Sequence, residues 1–454
     1  MRILLVRPKP HKETIGLKHV MVCEPLELEY LVSNIPEDIK GRCDVEIVDM
    51  ILEKRSFRSI IQEKRPHMVL FTGYITHVGT ISDMAEKVKS ILPAAITGVG
   101  GVHAEVVAED YSSPDLDLVF GRNGVKAFAG ALRGILEGKD LDEIREEIKS
   151  ISREELDFNL RPPDRSSVDR YRSSYYYMFH NPCALIKTSY GCPYTCRFCF
   201  CREITGGKYH SRSMDDVMDE LMEIPEEEVY IVDDDFLFDR EKLLDFERLL
   251  KERKINKRYL VYGRADFIAQ NRDLMERLRD VGLQAVIVGI ESIREKDLSG
   301  YNKKTTRAMN EEAIQILREL GIELYATMII PLDFSKEDFR ELTGWLKQMK
   351  VTFVNLQPLT PLPGTDIFDE YRDRLLYDTW DHHVFDMAHV VLRPERMSVR
   401  MFYVRLLLSY YRVVIRPVNI LRLVRRYGLW ANLRMLKGSQ MVGLQYMKKI
   451  VRGY

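Results

Sequence analysis

The chain has 454 residues, 45% of them hydrophobic and 30% charged, and a formal net charge of -1 at pH 7. This composition is typical of a globular protein with a sizeable core, and its near-neutral charge gives no overall field that would select a charged partner. The seven cysteines are odd in number and mostly scattered, which argues against a disulfide framework. We expect a cytoplasmic protein, because the first apolar stretch is too short for a signal peptide and no apolar run approaches the ~20 residues of a membrane span.

Residues 1–150 alternate short apolar strands with helical stretches, the pattern of a parallel α/β sheet. The predicted strands are Ile3–Val6, Val45–Val48, Met68–Thr72, Ala95–Val99 and Leu118–Phe120. Such sheets bind ligands at the carboxyl ends of their strands. The candidate ligand contacts there are Thr72, Gly73, Gly100, Gly101 and His103.

This first region resembles a cobalamin-binding domain through its Gly-Gly-x-His-Ala run at 100–104 and the strand Leu118–Phe120 followed by Gly121. The resemblance implies a Rossmann-like fold with cobalamin as a cofactor. Two features depart from it. His77 lies in the expected ligand loop without the Asp of a DxHxxG motif, and Gly-Arg-Asn-Gly replaces the usual acidic sequence at 121–124. Loss of the ligand histidine is usual in the methylating branch of that family. The alternative is a vestigial domain that binds no cofactor.

Residues 151–182 are predicted to form a linker. Asp157, Pro162 and Pro163 interrupt any regular pattern, and 171–177 is dense in tyrosine. We expect these tyrosines to pack between domains. Stacking on nucleic acid is the weaker alternative, because little basic charge lies among them.

Cys192, Cys196 and Cys199 have the spacing CxxxCxxC. Three thiolates from one short loop hold three irons of a 4Fe–4S cluster and leave the fourth iron open to another ligand. A structural zinc site would need a fourth ligand, usually from a second cysteine pair, and the sequence has no such pair. With Phe198 before the third cysteine, the motif resembles the signature of the radical S-adenosylmethionine (SAM) superfamily, in which SAM binds the open iron. Cys201 is predicted to be a spectator thiol rather than a ligand.

Six strand–helix units recur over residues 183–375, which resembles the partial (β/α)6 barrel of the radical SAM core. Active-site residues of parallel barrels lie at the carboxyl ends of strands. The resemblance implies SAM contacts there from Phe198, Asp233, Asp234, Arg264, Glu291 and Ser292. A solvated acidic turn, in which Asp235 or Asp239 caps a helix, is the alternative for the Asp triplet, and a structural salt bridge with Asp266 is the alternative for Arg264. Glu291 is expected to have a partner, because an unpaired buried carboxylate is costly.

Residues 376–454 form a predicted basic helical region, since no Asp or Glu follows Glu395. Apolar faces flanked by arginine, at 403–414 and 418–427, are typical of interfacial helices. Contact with a membrane surface is therefore one expectation. A helical lid on the barrel, with the arginines paired to acidic groups, is the other.

The whole chain resembles cobalamin-dependent radical SAM methyltransferases, and within them the hopanoid C-3 methylase-like group. The resemblance implies a 4Fe–4S cluster, SAM and cobalamin as cofactors, and a reductant such as flavodoxin or ferredoxin. The implied reaction methylates an unactivated carbon of a lipid or other hydrophobic product, through a 5′-deoxyadenosyl radical and methylcobalamin. The alternatives are radical cyclisation, coupling or ring rearrangement without methyl transfer, tRNA modification, and a non-catalytic iron–sulfur scaffold. No nucleic-acid partner is expected, since no RNA-binding module is evident.

Overall fold

The computed structural model describes residues 1–16, 19–151 and 158–452, so residues 152–157 of the predicted linker lie outside the described residues. The first sheet is parallel, with strand order β3-β1-β4-β5-β6. Its central strand β4 is buried along its whole length, as continuous apolar strands of parallel sheets are. The strands up to the barrel are β1 (Arg2–Arg7), β2 (Met21–Val22), β3 (Asp44–Asp49), β4 (Met68–Thr72), β5 (Ile96–Gly100), β6 (Leu118–Val119) and β7 (Tyr176–Tyr177).

Helices cover both faces of this sheet and build two apolar cores, one on each side. The five strands predicted for this region are confirmed, with ends that differ by at most one residue. The antiparallel pair β2–β7, which joins the N-terminal region to the tyrosine-rich segment, was not predicted. The helices are α1 (Leu26–Ser33), α2 (Glu37–Lys40), α3 (Phe57–Lys64), α4 (Val78–Ile91), α5 (Val102–Val106), α6 (Gly124–Glu137), α7 (Leu141–Ser150) and α8 (Asp169–Arg172).

The second sheet has six parallel strands in the order β15-β14-β13-β12-β11-β8, the open arrangement of a partial barrel. All six predicted strands are present. A separate antiparallel pair, β9–β10, lies beside the cysteine loop. The strands are β8 (Cys183–Ile186), β9 (Ser189–Tyr190), β10 (His210–Ser211), β11 (Glu228–Ile231), β12 (Arg258–Gly263), β13 (Leu283–Glu291), β14 (Glu323–Ile330) and β15 (Phe353–Pro358).

Some of the helices between these strands begin at side chains that accept backbone N–H groups. Asp239 accepts from the amides of Glu241 and Lys242, which confirms it as a helix cap, and Ser335 forms a capping box with Asp338. The helices are α9 (Cys201–Thr205), α10 (Met214–Glu223), α11 (Arg240–Glu252), α12 (Ala265–Gln270), α13 (Arg272–Asp280), α14 (Glu295–Gly300), α15 (Arg307–Leu320), α16 (Lys336–Gln348) and α17 (Asp366–Tyr371).

Two further helices end the chain, α18 (Val399–Val414) and α19 (Pro417–Arg452), and α19 has one non-helical residue at Gly428. α18 packs on the barrel: Tyr403 and Leu406 are buried in the barrel core, and the Tyr410 hydroxyl accepts the Leu356 amide N–H at 2.7 Å. The C-terminal helices therefore pack on the barrel, but α18 lies against α16 and β15 at the barrel's side and not over its mouth. The expected pairing of arginines with acidic groups is seen at Arg422, whose guanidinium lies 2.9 Å from Glu323. Within the described part of the chain, no helix is both long and apolar enough to cross a bilayer.

A buried ion network joins the two sheets. The Arg165 guanidinium lies 2.8 Å from Glu24 of the first region and 2.6 Å from Glu220 of α10, and it also donates to the Leu185 carbonyl of β8. The tyrosines nearby divide between the two sides: Tyr175 donates to Asp49, while Tyr177 packs on barrel tyrosines. The prediction that this tyrosine-rich segment packs between the domains is confirmed.

Candidate active site

The three motif cysteines lie in one loop that follows β9 at the carboxyl end of the barrel. Glycine is required at Gly191, where φ is 82° and an added Cβ would lie 2.0 Å from the Lys208 carbonyl oxygen. Asn302 holds the middle of the loop by donating to the Thr195 carbonyl and hydroxyl oxygens at 2.9 and 2.7 Å. Protein contacts therefore fix the start and the middle of the loop.

The thiols of this loop are half-buried. Burial raises the pKa of Cys192 to about 12 and also raises that of Cys196. A hydrogen bond from the Cys201 thiol lowers the pKa of Cys199. Most of these sulfurs are thus protonated without iron, and cluster assembly must release protons, as metal binding to thiols does. Three convergent thiols of this kind fit a 4Fe–4S cluster, with Cys201 beside the third ligand.

The Asp triplet after β11 supports the cysteine loop. Asp233 is fully buried and accepts from the backbone and hydroxyl groups of Thr188 and Ser189 at 2.6–3.0 Å, with Lys242 at 3.3 Å. Asp234 accepts the Gly191 N–H at 2.9 Å. Both carboxylates therefore fix the stretch 188–191, which leads into the loop just before Cys192. Their contact with SAM stays a prediction, and Asp233 already has five protein donors.

Asp235 differs from its two neighbours. Its side chain is 2% exposed, and neither carboxylate oxygen has a hydrogen-bond partner among the residues that the structure describes. Burial raises its pKa to about 8, although the positive charges of Arg264 and Lys303 act in the opposite direction. Asp235 does not cap a helix; Asp239 does. Alternation along the strand end could have indicated that Asp235 is buried like Asp233, since residues two apart point to the same side. An orphaned buried carboxyl beside the cysteines fits a SAM molecule that brings its own donor groups.

Arg264 lies flat on the Tyr194 ring at 3.6 Å and pairs with both oxygens of Asp266 at 3.0 and 2.9 Å. The salt bridge to Asp266 that we gave as the alternative is present. Its remaining nitrogen lies 4.0 Å from the Cys196 sulfur. Arg264 thus places a fixed positive charge beside the cysteine loop, and its contact with the SAM carboxylate stays a prediction.

Glu291 ends β13 in a left-handed conformation, with φ of 60°, beside a β-bulge. Its carboxylate accepts from Lys303 at 3.1 Å, so the expected buried partner is present. A side chain at Gly289 would collide with this pair, at 2.2 Å from the Glu291 oxygen. Lys303, which the sequence analysis did not single out, also places a positive charge near Cys196. Ser292 donates to Asp297 at 2.6 Å, so its hydroxyl proton is already engaged.

Phe198 of the cysteine loop packs edge-on against Tyr301, with ring centroids 5.8 Å apart. The same apolar cluster contains Ile75, which follows β4 of the first sheet, and Ile329 of β14. In addition, Gly364 of the turn after β15 lies so close to Val106 of α5 that an added Cβ would be 2.4 Å away. The carboxyl ends of the two sheets therefore face each other, and the loops of the first domain contact the cysteine loop's own cluster.

The glycine-rich loops predicted as cobalamin contacts lie together at the edge of the first sheet. An added Cβ on Gly101, where φ is 102°, would lie 2.9 Å from the Thr72 hydroxyl and 3.1 Å from the Gly73 backbone. Gly100 lies next to Phe120, and the Thr72 hydroxyl donates to Glu27. A side chain at Gly101 would therefore push the two loops apart. The result is a backbone-lined edge of the kind that fits a large flat cofactor, although contact of each residue with cobalamin stays a prediction.

His103 and His77 are both buried. His77 Nδ1 accepts the Tyr74 N–H at 3.2 Å, and burial lowers its pKa to about 4, so the ring is neutral. His103 Nε2 lies 2.7 Å from Asp110 and faces His382 beyond it. The structure thus directs His103 to a side-chain cluster that the sequence did not reveal, because its members are far apart along the chain.

An internal space separates the facing sheet edges. Tyr74 of the first domain is 60% exposed and Tyr262 of β12 is 39% exposed. Surrounding protein nevertheless raises the pKa of both hydroxyls by burial. The charge of Glu27 in the same domain and that of Tyr262 on the barrel side also raise the pKa of Tyr74. Side chains that are accessible yet surrounded by protein line a cavity rather than an outer surface. This cavity lies between the predicted cobalamin edge and the barrel mouth.

Comparison with known families divides the chain as its geometry does. Residues 15–132 match the B12 binding domain, and residues 186–346 match the radical SAM superfamily. The chain belongs to the cobalamin-dependent radical SAM family. It is therefore a radical SAM enzyme, with a 4Fe–4S cluster, SAM and cobalamin as its cofactors.

Individual members of this family align over most of the chain. The hopanoid C-3 methylase of Methylococcus capsulatus is 28% identical over 415 residues, covering 89% of this chain and 78% of its own. The anaerobic magnesium-protoporphyrin IX monomethyl ester cyclase of Cereibacter sphaeroides is 23% identical over 450 residues, covering 90% and 72%. The methyltransferase TsrM from Kitasatospora setae, solved with cobalamin and a [4Fe-4S] cluster, has a TM-score of 0.66 at 17% identity, covering 98% and 99%. The shared fold thus extends from end to end.

Proposed function

We propose that this cobalamin-dependent radical SAM enzyme methylates an unactivated carbon of a hydrophobic substrate, with a membrane lipid as the first class to test. The observation that supports it best is the shared apolar cluster of Ile75, Phe198 and Ile329, which brings the first domain's loops against the cysteine loop. Radical formation and methyl donation require their two centres to share one enclosed space. Likeness to a hopanoid methylase along most of the chain favours a lipid.

The protein's own residues have separate tasks in this proposal. Cys192, Cys196 and Cys199 would hold the cluster, which would supply the electron for SAM cleavage, and the edge of the first sheet would hold cobalamin, which would supply the methyl group. Asp235 accepts a hydrogen bond from SAM, and Arg264 provides positive charge beside Cys196. The facing sheet edges exclude water and oxygen from the cavity. An external donor such as flavodoxin or ferredoxin supplies the electron.

The test uses enzyme loaded anaerobically with cluster and cobalamin, a reductant, a lipid extract, and SAM carrying a trideuterated methyl group. We expect a lipid that gains one labelled methyl group, with 5′-deoxyadenosine and S-adenosylhomocysteine formed together. Cys196→Ala should form no 5′-deoxyadenosine, whereas Cys43→Ala, a matched change outside the motif, should behave as wild type. Lipids without label despite 5′-deoxyadenosine formation would contradict methyl transfer.

That last outcome would favour the second candidate, radical cyclisation or rearrangement without methyl transfer. The similarity to the anaerobic magnesium-protoporphyrin cyclase is the observation behind it. This candidate predicts 5′-deoxyadenosine that depends on a tetrapyrrole or lipid substrate, with no accompanying S-adenosylhomocysteine.

We also propose that α19 contacts an anionic membrane surface. Its exposed side chains include Leu429, Trp430 and Leu433, which are 57%, 83% and 46% exposed. Because no acidic residue follows Glu395, these apolar groups lie in a purely basic segment. Apolar groups enter the interface while each nearby basic residue adds about 1 kcal/mol of attraction to anionic lipid.

Co-sedimentation with vesicles tests this contact. The protein should bind vesicles of phosphatidylglycerol more than those of phosphatidylcholine, and Trp430→Glu should lower the binding. Met222→Glu is the matched control, since Met222 is 62% exposed on α10, away from this segment. Equal loss of binding in both variants, or none in either, would contradict a membrane contact through α19.

A further inference from the structure

Three side chains from distant parts of the chain converge beside the first domain. His103 belongs to α5, Asp110 ends the short 3-10 turn Ala108–Asp110, and His382 begins the 3-10 turn His382–Val384 after the barrel. Asp110 Oδ2 lies 2.7 Å from His103 Nε2 and 3.1 Å from His382 Nε2. All three ligand-type atoms lie within 4.8 Å of one another.

The cluster is enclosed by protein. The side chains of His103 and His382 are each 6% exposed, and that of Asp110 is 20% exposed. The Tyr111 ring packs edge-on against His103 at 5.8 Å, and its buried hydroxyl has no hydrogen-bond partner. The cluster therefore borders a polar atom that nothing in the described chain satisfies.

Two imidazole nitrogens and one carboxylate oxygen are the ligand types that Zn²⁺ prefers, and three protein ligands with one open position is a common zinc arrangement. Without a metal, the Nε2–H groups of the two histidines would donate to one carboxylate oxygen. That arrangement has the same contacts but no affinity for ions. Metal content thus separates the two interpretations.

The location gives the cluster a structural consequence. His103 follows the glycine pair at the edge of the first sheet, while the turn His382–Val384 packs on the turn Ile75–His77 and on α4. A bond between them would tie the loops that face the barrel to the segment that follows it. The cavity between the sheets would then be closed on that side.

We propose that His103, Asp110 and His382 bind one divalent transition-metal ion, of which Zn²⁺ matches the ligands best, and that this ion fastens the C-terminal segment to the cobalamin-binding domain. The site is distinct from the cluster loop, since none of its members is a motif cysteine. Its role is structural and does not require any particular substrate.

Zinc retention tests the site directly. Full-length enzyme carrying its cluster and cobalamin is treated briefly with a chelator, equilibrated anaerobically with Zn²⁺, desalted and analysed by elemental mass spectrometry. Wild type should retain about one more zinc ion per chain than His382→Ala, the stoichiometry of a single site. His67→Ala is the matched control, because His67 is exposed at the other end of the first sheet, and it should retain as much zinc as wild type.

A second variant covers the case in which His382→Ala folds poorly. Asp110→Asn keeps the size of the side chain and an acceptor oxygen but lowers metal affinity. We expect added Zn²⁺ to raise the Tm of wild type and of His67→Ala but not that of Asp110→Asn. Equal zinc content and equal Tm response in all variants would overturn the proposal and leave a hydrogen-bonded His–Asp–His cluster.

Discussion

Replacing Asp235 with Asn should stabilise the cofactor-free protein at high pH while impairing the enzyme. Asp235 is 2% exposed and its two carboxylate oxygens lack partners. Burial raises its pKa from 3.8 to about 8, against the charges of Arg264 and Lys303. The unfolded chain releases this proton near pH 4 and the folded chain near pH 8. The contribution of protonated Asp235 to the free energy of unfolding is therefore fully present below pH 4 and is lost as the pH rises to 8.

The size of the effect follows from the shift. One pKa unit corresponds to about 1.4 kcal/mol, so the wild type should lose about 2 kcal/mol between pH 6 and pH 8 through Asp235. Asn does not ionise and lacks this loss. Any cost of burying the amide itself is the same at both pH values, so it cancels when the two differences are compared.

Thermal unfolding of cluster-free wild type and Asp235→Asn at pH 6 and pH 8 measures this difference. A unit of roughly 190 residues, the size of the barrel domain, shifts its Tm by about 2–4 °C per kcal/mol. The Tm of the barrel's transition in the variant relative to wild type should therefore rise by about 4–8 °C between the two pH values. In cluster-loaded enzyme, the same variant should form 5′-deoxyadenosine more slowly, because SAM loses an acceptor. A Tm difference that is independent of pH would refute the raised pKa of the buried Asp235 carboxyl. An unchanged rate of SAM cleavage in Asp235→Asn would refute the contact between Asp235 and SAM.

Three further predictions concern other groups. Cys196→Ala should abolish reductive SAM cleavage yet leave the fold of the first domain intact by circular dichroism, and retained cleavage would contradict the cluster assignment. Burial lowers the pKa of His77 to about 4. The contribution of the neutral His77 ring to the free energy of unfolding is therefore present above pH 6.5, and about 3 kcal/mol of it is lost as the pH falls to 4. The Tm of His77→Gln should depend less on pH than that of wild type between pH 6.5 and pH 4. Arg165→Met should cost about 3–5 kcal/mol in urea unfolding, because it leaves Glu24 and Glu220 buried without their shared cation; a cost below 1 kcal/mol would show that the network does not hold the domains together.

The sequence predicted the fold through patterns that are local. Apolar strands of four to nine residues, such as β4 and β14, alternate with amphipathic helices, and a parallel sheet is the arrangement that buries both. The cysteine loop was equally predictable from the sequence, because its chemistry depends on spacing within one short segment. The glycine run at 100–101 is explained by the close approach of Thr72 and Gly73.

The partners of the site residues could not be predicted from the sequence, because they depend on which side chains the fold brings together. Sequence alone assigned SAM contacts to Asp233 and Asp234 and only a possible capping role to Asp235, whereas the protein surrounds Asp233 with donors and leaves Asp235 with none among the described residues. Lys303 was missed because its partner Glu291 lies on another element. The meeting of His103 with His382 had no sequence signal at all, since the two residues lie in different domains.

The most direct test of the central claim, that one chain holds both cofactors across a shared cavity, is a spectrum after anaerobic reconstitution with iron, sulfide and hydroxocobalamin followed by desalting. We predict a retained corrin band together with an iron–sulfur shoulder, and loss of the shoulder alone in Cys196→Ala. An iron–sulfur spectrum without a corrin band would contradict the claim, because the first domain would then not hold the methyl-carrying cofactor.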